Sequence, residues 1–214
     1  IDPTESKAIS AALAEKGIDM LDAPVSGGEP KAIDGTISVM VGGKRETFDK
    51  YYELLMNMAG ITVTDRKVVI KALERAKETD GPAAALELRD GRIITGKTTN
   101  LLGASAALLL NVLKVLAGID HETHIISPES IEPIQKLKVD YLKSKNPRLH
   151  TDEVLIALSA SAATNPQARL ALSQLPELAG CQAHTSVMLS DVDIKIFKKL
   201  EVQLTSEAVY EHAL

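Results

Sequence analysis

Asn146-Pro147-Arg148-Leu149-His150 sets a guanidinium and an imidazole two positions apart. They stand just before Thr151, which reads as the cap of a helix with Asp152 and Glu153 in its first turn. A cation pair beside a helix start suits a phosphate or carboxylate, because the first amides of a helix are unpaired donors at the positive end of its dipole. Anchoring of the loop by Arg148 is the competing role.

Other chemistry-bearing types are spaced less well. His121-Glu122-Thr123-His124 places its histidines three apart, not the four that put two imidazoles on one helix face for zinc, and it reads as a surface turn. Cys181 and His184 could supply a nucleophile and a base. On an extended segment three positions apart they point to opposite sides, and no oxyanion element is evident, so a structural cysteine is expected. Cys181 with His184, and His150 with Glu153, could form a metal site only if folding brought them together. No metal site, no catalytic residue and no cofactor are assigned.

The elements that must position these residues follow from the apolar periodicity. Residues 4–16 read as a helix capped by Thr4, 19–25 as a buried strand, 37–41 as a second strand and 46–58 as a helix, giving αβ-loop-βα. A helix over 65–79, capped by Thr64 or Asp65, precedes strands 83–88 and 92–96 around Asp90-Gly91, a dipeptide that tolerates the positive φ of a tight hairpin. Residues 100–116 form a strongly apolar helix, 124–126 a short strand and 128–143 a helix opened by Pro128. Helices from Thr151 to Ala163 and from Pro166 to Leu175 follow. A strand at 186–189, a helix from Ser190 to Leu200 and a strand at 202–205 complete the pattern. The fold class is therefore α/β: a mixed sheet covered by helices in αβα layers, with an antiparallel hairpin at Asp90-Gly91.

Composition limits the partners. The 214 residues are 45% hydrophobic, enough for a sizeable core, but only 3% aromatic, which removes base stacking as a source of affinity. A net charge of −5 leaves no basic footprint for nucleic acid or an anionic membrane. No apolar run reaches membrane-spanning length, and the single cysteine can form no internal disulfide, so a cytoplasmic location is expected. An exposed apolar patch or sheet edge would favour a homodimer, and a small anion is the expected ligand.

Asp22-Ala23-Pro24-Val25-Ser26-Gly27-Gly28, continuing through Asp34-Gly35-Thr36 to Val41-Gly42-Gly43, closely resembles the β-hydroxyacid dehydrogenase family. The resemblance covers about residues 1–56 and implies a half-Rossmann fragment. It also implies that Ser26, Gly27 and Gly28 contact a substrate carboxylate through the hydroxyl and backbone N–H groups. The family's dinucleotide loop G-x-G-x-x-G is absent, and Lys67 lacks the glycines and asparagine that surround the family's catalytic lysine, so neither role is carried over. NAD(P)-dependent hydroxyacid oxidation would then rest on family likeness alone.

From about residue 54 to 210 the chain instead resembles the C-terminal region of the uncharacterised bacterial domain-of-unknown-function family 1846. Leu88-Arg89-Asp90-Gly91-Arg92-Ile93-Ile94-Thr95-Gly96-Lys97 and Asn146-Pro147-Arg148-Leu149-His150-Thr151 carry the likeness. Strand, hairpin and helix over 83–116 resemble the cytidine deaminase fold. Two domains are expected, 1–58 and 59–214, either of which could merge into the other. The joining of two families at a helix implies an engineered or recombined chimera without native catalytic activity, with residual binding of a carboxylate, phosphate or nucleotide as the alternative.

Overall fold

The computed structural model describes residues 2–26, 28–29, 38–59, 66–207 and 209. It divides into two compact units, Ile1–Thr62 and Val63–Leu214.

In the first unit, helix α1 (Pro3–Ala14) has its cap two residues earlier than the apolar period suggests. Asp2, not Thr4, is the cap: its carboxylate accepts the Thr4 N–H at 2.8 Å, and Pro3 supplies a pre-set φ at the first helical position. Strands β1 (Val25–Ser26) and β2 (Ser38–Val39) form a two-residue antiparallel ladder, extended by the bridge of Asp22 with Gly42. The buried strand expected over 19–25 is thus much shorter, and Val25 and Val39 are 61% and 53% exposed. A ladder of two strands has no third strand to hold its remaining backbone groups. Helix α2 (Arg45–Ala59) follows.

The second unit is an α/β fold around a mixed four-stranded open sheet with layers of helix on both faces. Helix α3 (Lys67–Thr79) ends at Asp80, whose φ of 48° is left-handed, just before Gly81-Pro82. Its expected caps, Thr64 and Asp65, lie outside the described residues. Strands β3 (Ala83–Glu87) and β4 (Ile93–Lys97) form the Asp90-Gly91 hairpin. Gly91 has φ 84°, and Asp90 accepts the Arg92 N–H at 3.0 Å.

Helix α4 (Ala104–Leu116) starts four residues later than expected, with Gly103 as its cap. The strand expected at 124–126 is irregular backbone, although Ile125 and Ile126 are buried in the core; so short an apolar run carries no period to separate the alternatives. Helix α5 (Pro128–Lys136) passes into a π-helical turn at Leu137–Tyr141, where Leu142 N–H donates to Leu137 O. Helices α6 (Thr151–Ser161) and α7 (Pro166–Leu172) follow.

Strand β5 (Gln182–Thr185) lies four residues before the strand expected at 186–189, and α8 (Asp191–Lys199) and β6 (Gln203–Ser206) end the sheet. Its order is β4-β3-β5-β6, antiparallel except for the parallel pair β5 and β6. Alternation along β3 sends Ala84 and Leu86 into a large core with α4, α6 and Phe197 of α8, and Ala85 into a smaller one with Val68, Val69 and Ala72 of α3. Small residues on β3 and β4 let helices sit directly on the backbone. A Cβ on Gly96 would lie 2.2 Å from the Leu108 backbone nitrogen, so α4 can occupy this position only against glycine.

Candidate functional site

Three helices of the second unit start at one place. Gly103, His150 and Ser190 are the caps of α4, α6 and α8, and all three line a cavity of about 70 Å³ with Thr98, Ser105, Arg148 and Asp193. Sheet geometry brings them together, because Thr98 follows β4 directly and its N–H donates to Pro82 O. The Asn146–His150 loop is tied alongside. Gly103 N–H donates to Leu149 O, Leu149 N–H to Leu101 O, and Arg148 Nε to Thr99 O. The Lys138 ammonium donates to Arg148 O at 2.6 Å and to Glu153 at 2.7 Å, and Glu153 also takes the His150 N–H. A buried ammonium satisfied in this way locks the loop to the start of α6.

Two of the three starts carry an anion supplied by the chain itself. Asp193 is 3% exposed and accepts from Thr151 N–H and Thr151 Oγ1, both at 2.9 Å, from Ser190 Oγ at 2.7 Å, and from His150 Nδ1 at 2.9 Å. Burial alone would raise its pKa; the hydrogen bonds from His150, Thr151 and Ser190 outweigh it and hold the carboxyl down to about 2. The same hydrogen bond, donated by His150 to Asp193, raises the pKa of His150 against the opposing effect of burial.

The third start has no such partner. The Gly103 cap offers no side chain to the first amides of α4. Ser105, 2% exposed on the cavity wall, makes no side-chain hydrogen bond among the described residues, and Thr98 Oγ1 is buried without a partner. The cavity therefore joins unfilled donors at the α4 end to a compensated Asp193–His150 pair at the other. Chemically this favours an oxyanion that can accept several hydrogen bonds at once.

Of the residues singled out from sequence, Arg148 and His150 meet on this wall, and Arg148 is also the loop anchor. Ser26 is exposed in β1, Gly28 has φ 64°, and Gly27 lies outside the described residues; their implied carboxylate role rests on the dehydrogenase resemblance. Cys181 packs with Ala183 in the large core, its thiol pKa pushed up by burial, whereas His184 faces the opposite side of β5. His184 donates to or accepts from Thr205 Oγ1 at 2.8 Å, and burial lowers its pKa against the opposing pull of Glu207. Among the described residues no group of three His, Cys, Asp or Glu could hold a metal ion. Thr98, Ser105, Ser190 and Asp193 carried no motif. Only the Ser-x-x-Asp spacing of Ser190 and Asp193, a helix-start signature, hinted at them.

Residues 64–214 match the family model described as the C-terminal domain of unknown function DUF1846. The chain belongs to the DUF1846 family. Residues 1–70 match a second model, the NAD binding domain of 6-phosphogluconate dehydrogenase. A UPF0371 protein of Corynebacterium aurimucosum is 61% identical over 157 residues, 73% of this chain and 32% of that protein. Those of Corynebacterium efficiens and Streptococcus uberis are 57% and 48% identical, each over 78% of this chain and 34% of their own length. The chain thus spans about a third of the relatives it matches. Natural relatives this similar overturn the expectation of an engineered or de novo chimera without native activity: the DUF1846 domain is a natural bacterial one. Among the described residues no helix is long and apolar enough to cross a membrane.

Proposed function

We propose that the DUF1846 domain binds a small oxyanion, a phosphate or carboxylate group, in the cavity at the starts of α4, α6 and α8. The observation that supports this most is the buried Thr98 hydroxyl without a partner beside the uncapped first turn of α4. A buried hydroxyl left unpaired costs about 1–3 kcal/mol, so an occupant that accepts from it gains affinity there. The Ser105 hydroxyl and the α4 amides add donors, and His150, whose pKa is raised by its hydrogen bond to Asp193, adds positive potential on the far wall when protonated. Asp193 does not oppose an anion as a bare carboxylate would, because Thr151, Ser190 and His150 already satisfy it.

Thermal unfolding of the full chain in inorganic phosphate, sulfate, acetate and chloride at matched ionic strength tests this. The expected result is saturable stabilisation by phosphate, reaching about 2–3 kcal/mol at a hundredfold excess over Kd. Thr98→Val and Ser105→Ala, which keep size, should weaken it while leaving the ligand-free midpoint within a few degrees. Stabilisation equal for chloride and phosphate, or unchanged in both variants, removes the proposal.

A further inference from the structure

The edge of the sheet on the β4 side borders a second and much larger recess, which shares no lining residue with the anion cavity. It is a groove of about 1030 Å³ between β4, α4 and the segment around Ile125. β4 is the outer strand of the sheet. Leu88 N–H donates to Arg92 O and Thr98 N–H to Pro82 O, both at 2.8 Å, so the even-numbered residues of this strand bond inward. The backbone groups of Ile93, Thr95 and Lys97 accordingly face outward. Asn111 Nδ2 donates to the Thr95 carbonyl at 2.9 Å, which confirms its direction. The remaining outward N–H and C=O groups have no partner among the described residues.

The groove is lined by the apolar Leu101, Leu110, Val115 and Ile126 and by cationic side chains. Arg75, Lys97 and Lys114 line it together with His121 and His124, and no Asp or Glu does so, in a chain whose net charge is −5. Two of the cations have acids nearby but outside the lining: Arg75 pairs with Glu78, and Lys114 is influenced by Glu122 and Asp120. Each keeps unused donors. Arg75 Nε is buried without a partner, and the Lys114 ammonium donates to His121 O alone among the described residues.

We infer that this edge is a docking groove for an extended acidic peptide, which adds as a strand to β4, turns alternate apolar side chains to the α4 side and sets acidic ones against Arg75 and Lys97 on the α3 side. Strand addition satisfies the outward backbone groups, and alternation along an extended chain matches the apolar α4 side on one face of β4 and Arg75 and Lys97 on the other. A second copy of the same edge is the less suitable occupant. It would bring Lys97 and Arg75 of one groove against those of the other, a like-charge arrangement that disfavours pairing.

Fluorescence anisotropy with labelled eight-residue peptides and the full chain decides the matter. Alternating Glu-Val should bind saturably, and alternating Lys-Val at least about tenfold more weakly, with the difference shrinking at high salt. N-methylation of alternate residues on the Glu-Val peptide, which removes the N–H groups that meet the strand, should abolish binding. Lys97→Glu, an exposed change on the edge, should lower affinity about tenfold without shifting the melting midpoint. Thr95→Pro deletes an outward N–H and no inward ladder bond, so it should lose binding while circular dichroism stays unchanged. Equal binding of both peptides, or binding of neither, overturns the inference. A concentration-dependent dimer that Thr95→Pro dissociates, with no peptide bound, overturns it in favour of a second copy.

Discussion

The hairpins β1–β2 and β3–β4 are built from similar materials and end differently. Each sets valines, isoleucines or alanines on either side of a glycine-containing connection, yet the first pairs over two residues with exposed valines, and the second over five with Ala84, Ala85 and Leu86 fully buried. The second has β5 beyond it and a helix on each face: α3 packs on Ala85, and α4 packs on Ala84 and Gly96. The first shows no third strand among the described residues. Strand length here follows from the layers that cover a hairpin more than from the β-propensity of its residues.

Equivalent glycines break or sharpen this contrast most strongly. Gly96→Ala drives a methyl into the α4 backbone and should cost more than about 3 kcal/mol in denaturant unfolding, or prevent folding of the second unit. Gly42→Ala, whose new methyl would have the Asp22 carbonyl 3.8 Å away as its nearest neighbour, should change the midpoint little. If the two variants behave alike, close packing of helix on strand is not what separates the hairpins.

A smaller effect is expected where α6 and α8 start. Asp193→Asn should destabilise the second unit by about 2 kcal/mol near neutral pH, since it removes a charge-assisted acceptor from Thr151, Ser190 and His150. Because the folded pKa of Asp193 is depressed to about 2, its contribution is present above the ordinary carboxylate value and is lost as pH falls towards 2. His150 is raised, so its share is present below the ordinary imidazole value and fades as pH rises through the folded one. The gap between wild type and Asp193→Asn in melting midpoint should therefore be widest between about pH 4 and 6.5, and narrow on both sides. A gap independent of pH would mean that shape, not charge, holds these helix starts. The least effect belongs to Arg45→Ala: its pair with Asp49 is exposed on both sides and should leave no measurable shift in the same melts.

Local chemistry made much of this readable. Asp90-Gly91 specifies its turn within four residues, and Asn165 with Pro166 and Ser190 with Asp193 state their helix starts in side chains that cap the following amides. β5 lies four residues before the strand that the apolar pattern marks, because Gln182-Ala183-His184-Thr185 has little apolar weight of its own. It is a strand because β3 and β6 flank it. The Arg148 and His150 loop stood out as unusual, but the residues facing it did not.

The sequence by itself determined the α/β class, the hairpin, most of the helices and the likeness to DUF1846, since each is written in short-range periodicity, turn residues or contiguous motifs. Only the tertiary structure decided that Gly103, His150 and Ser190 cap three helices around one cavity, that Asp193 reaches across 43 positions to His150, and that the Thr98 hydroxyl has no partner among the described residues. Those relations join residues far apart in the chain, and no local pattern encodes the closing of the sheet layers that brings them within hydrogen-bond distance.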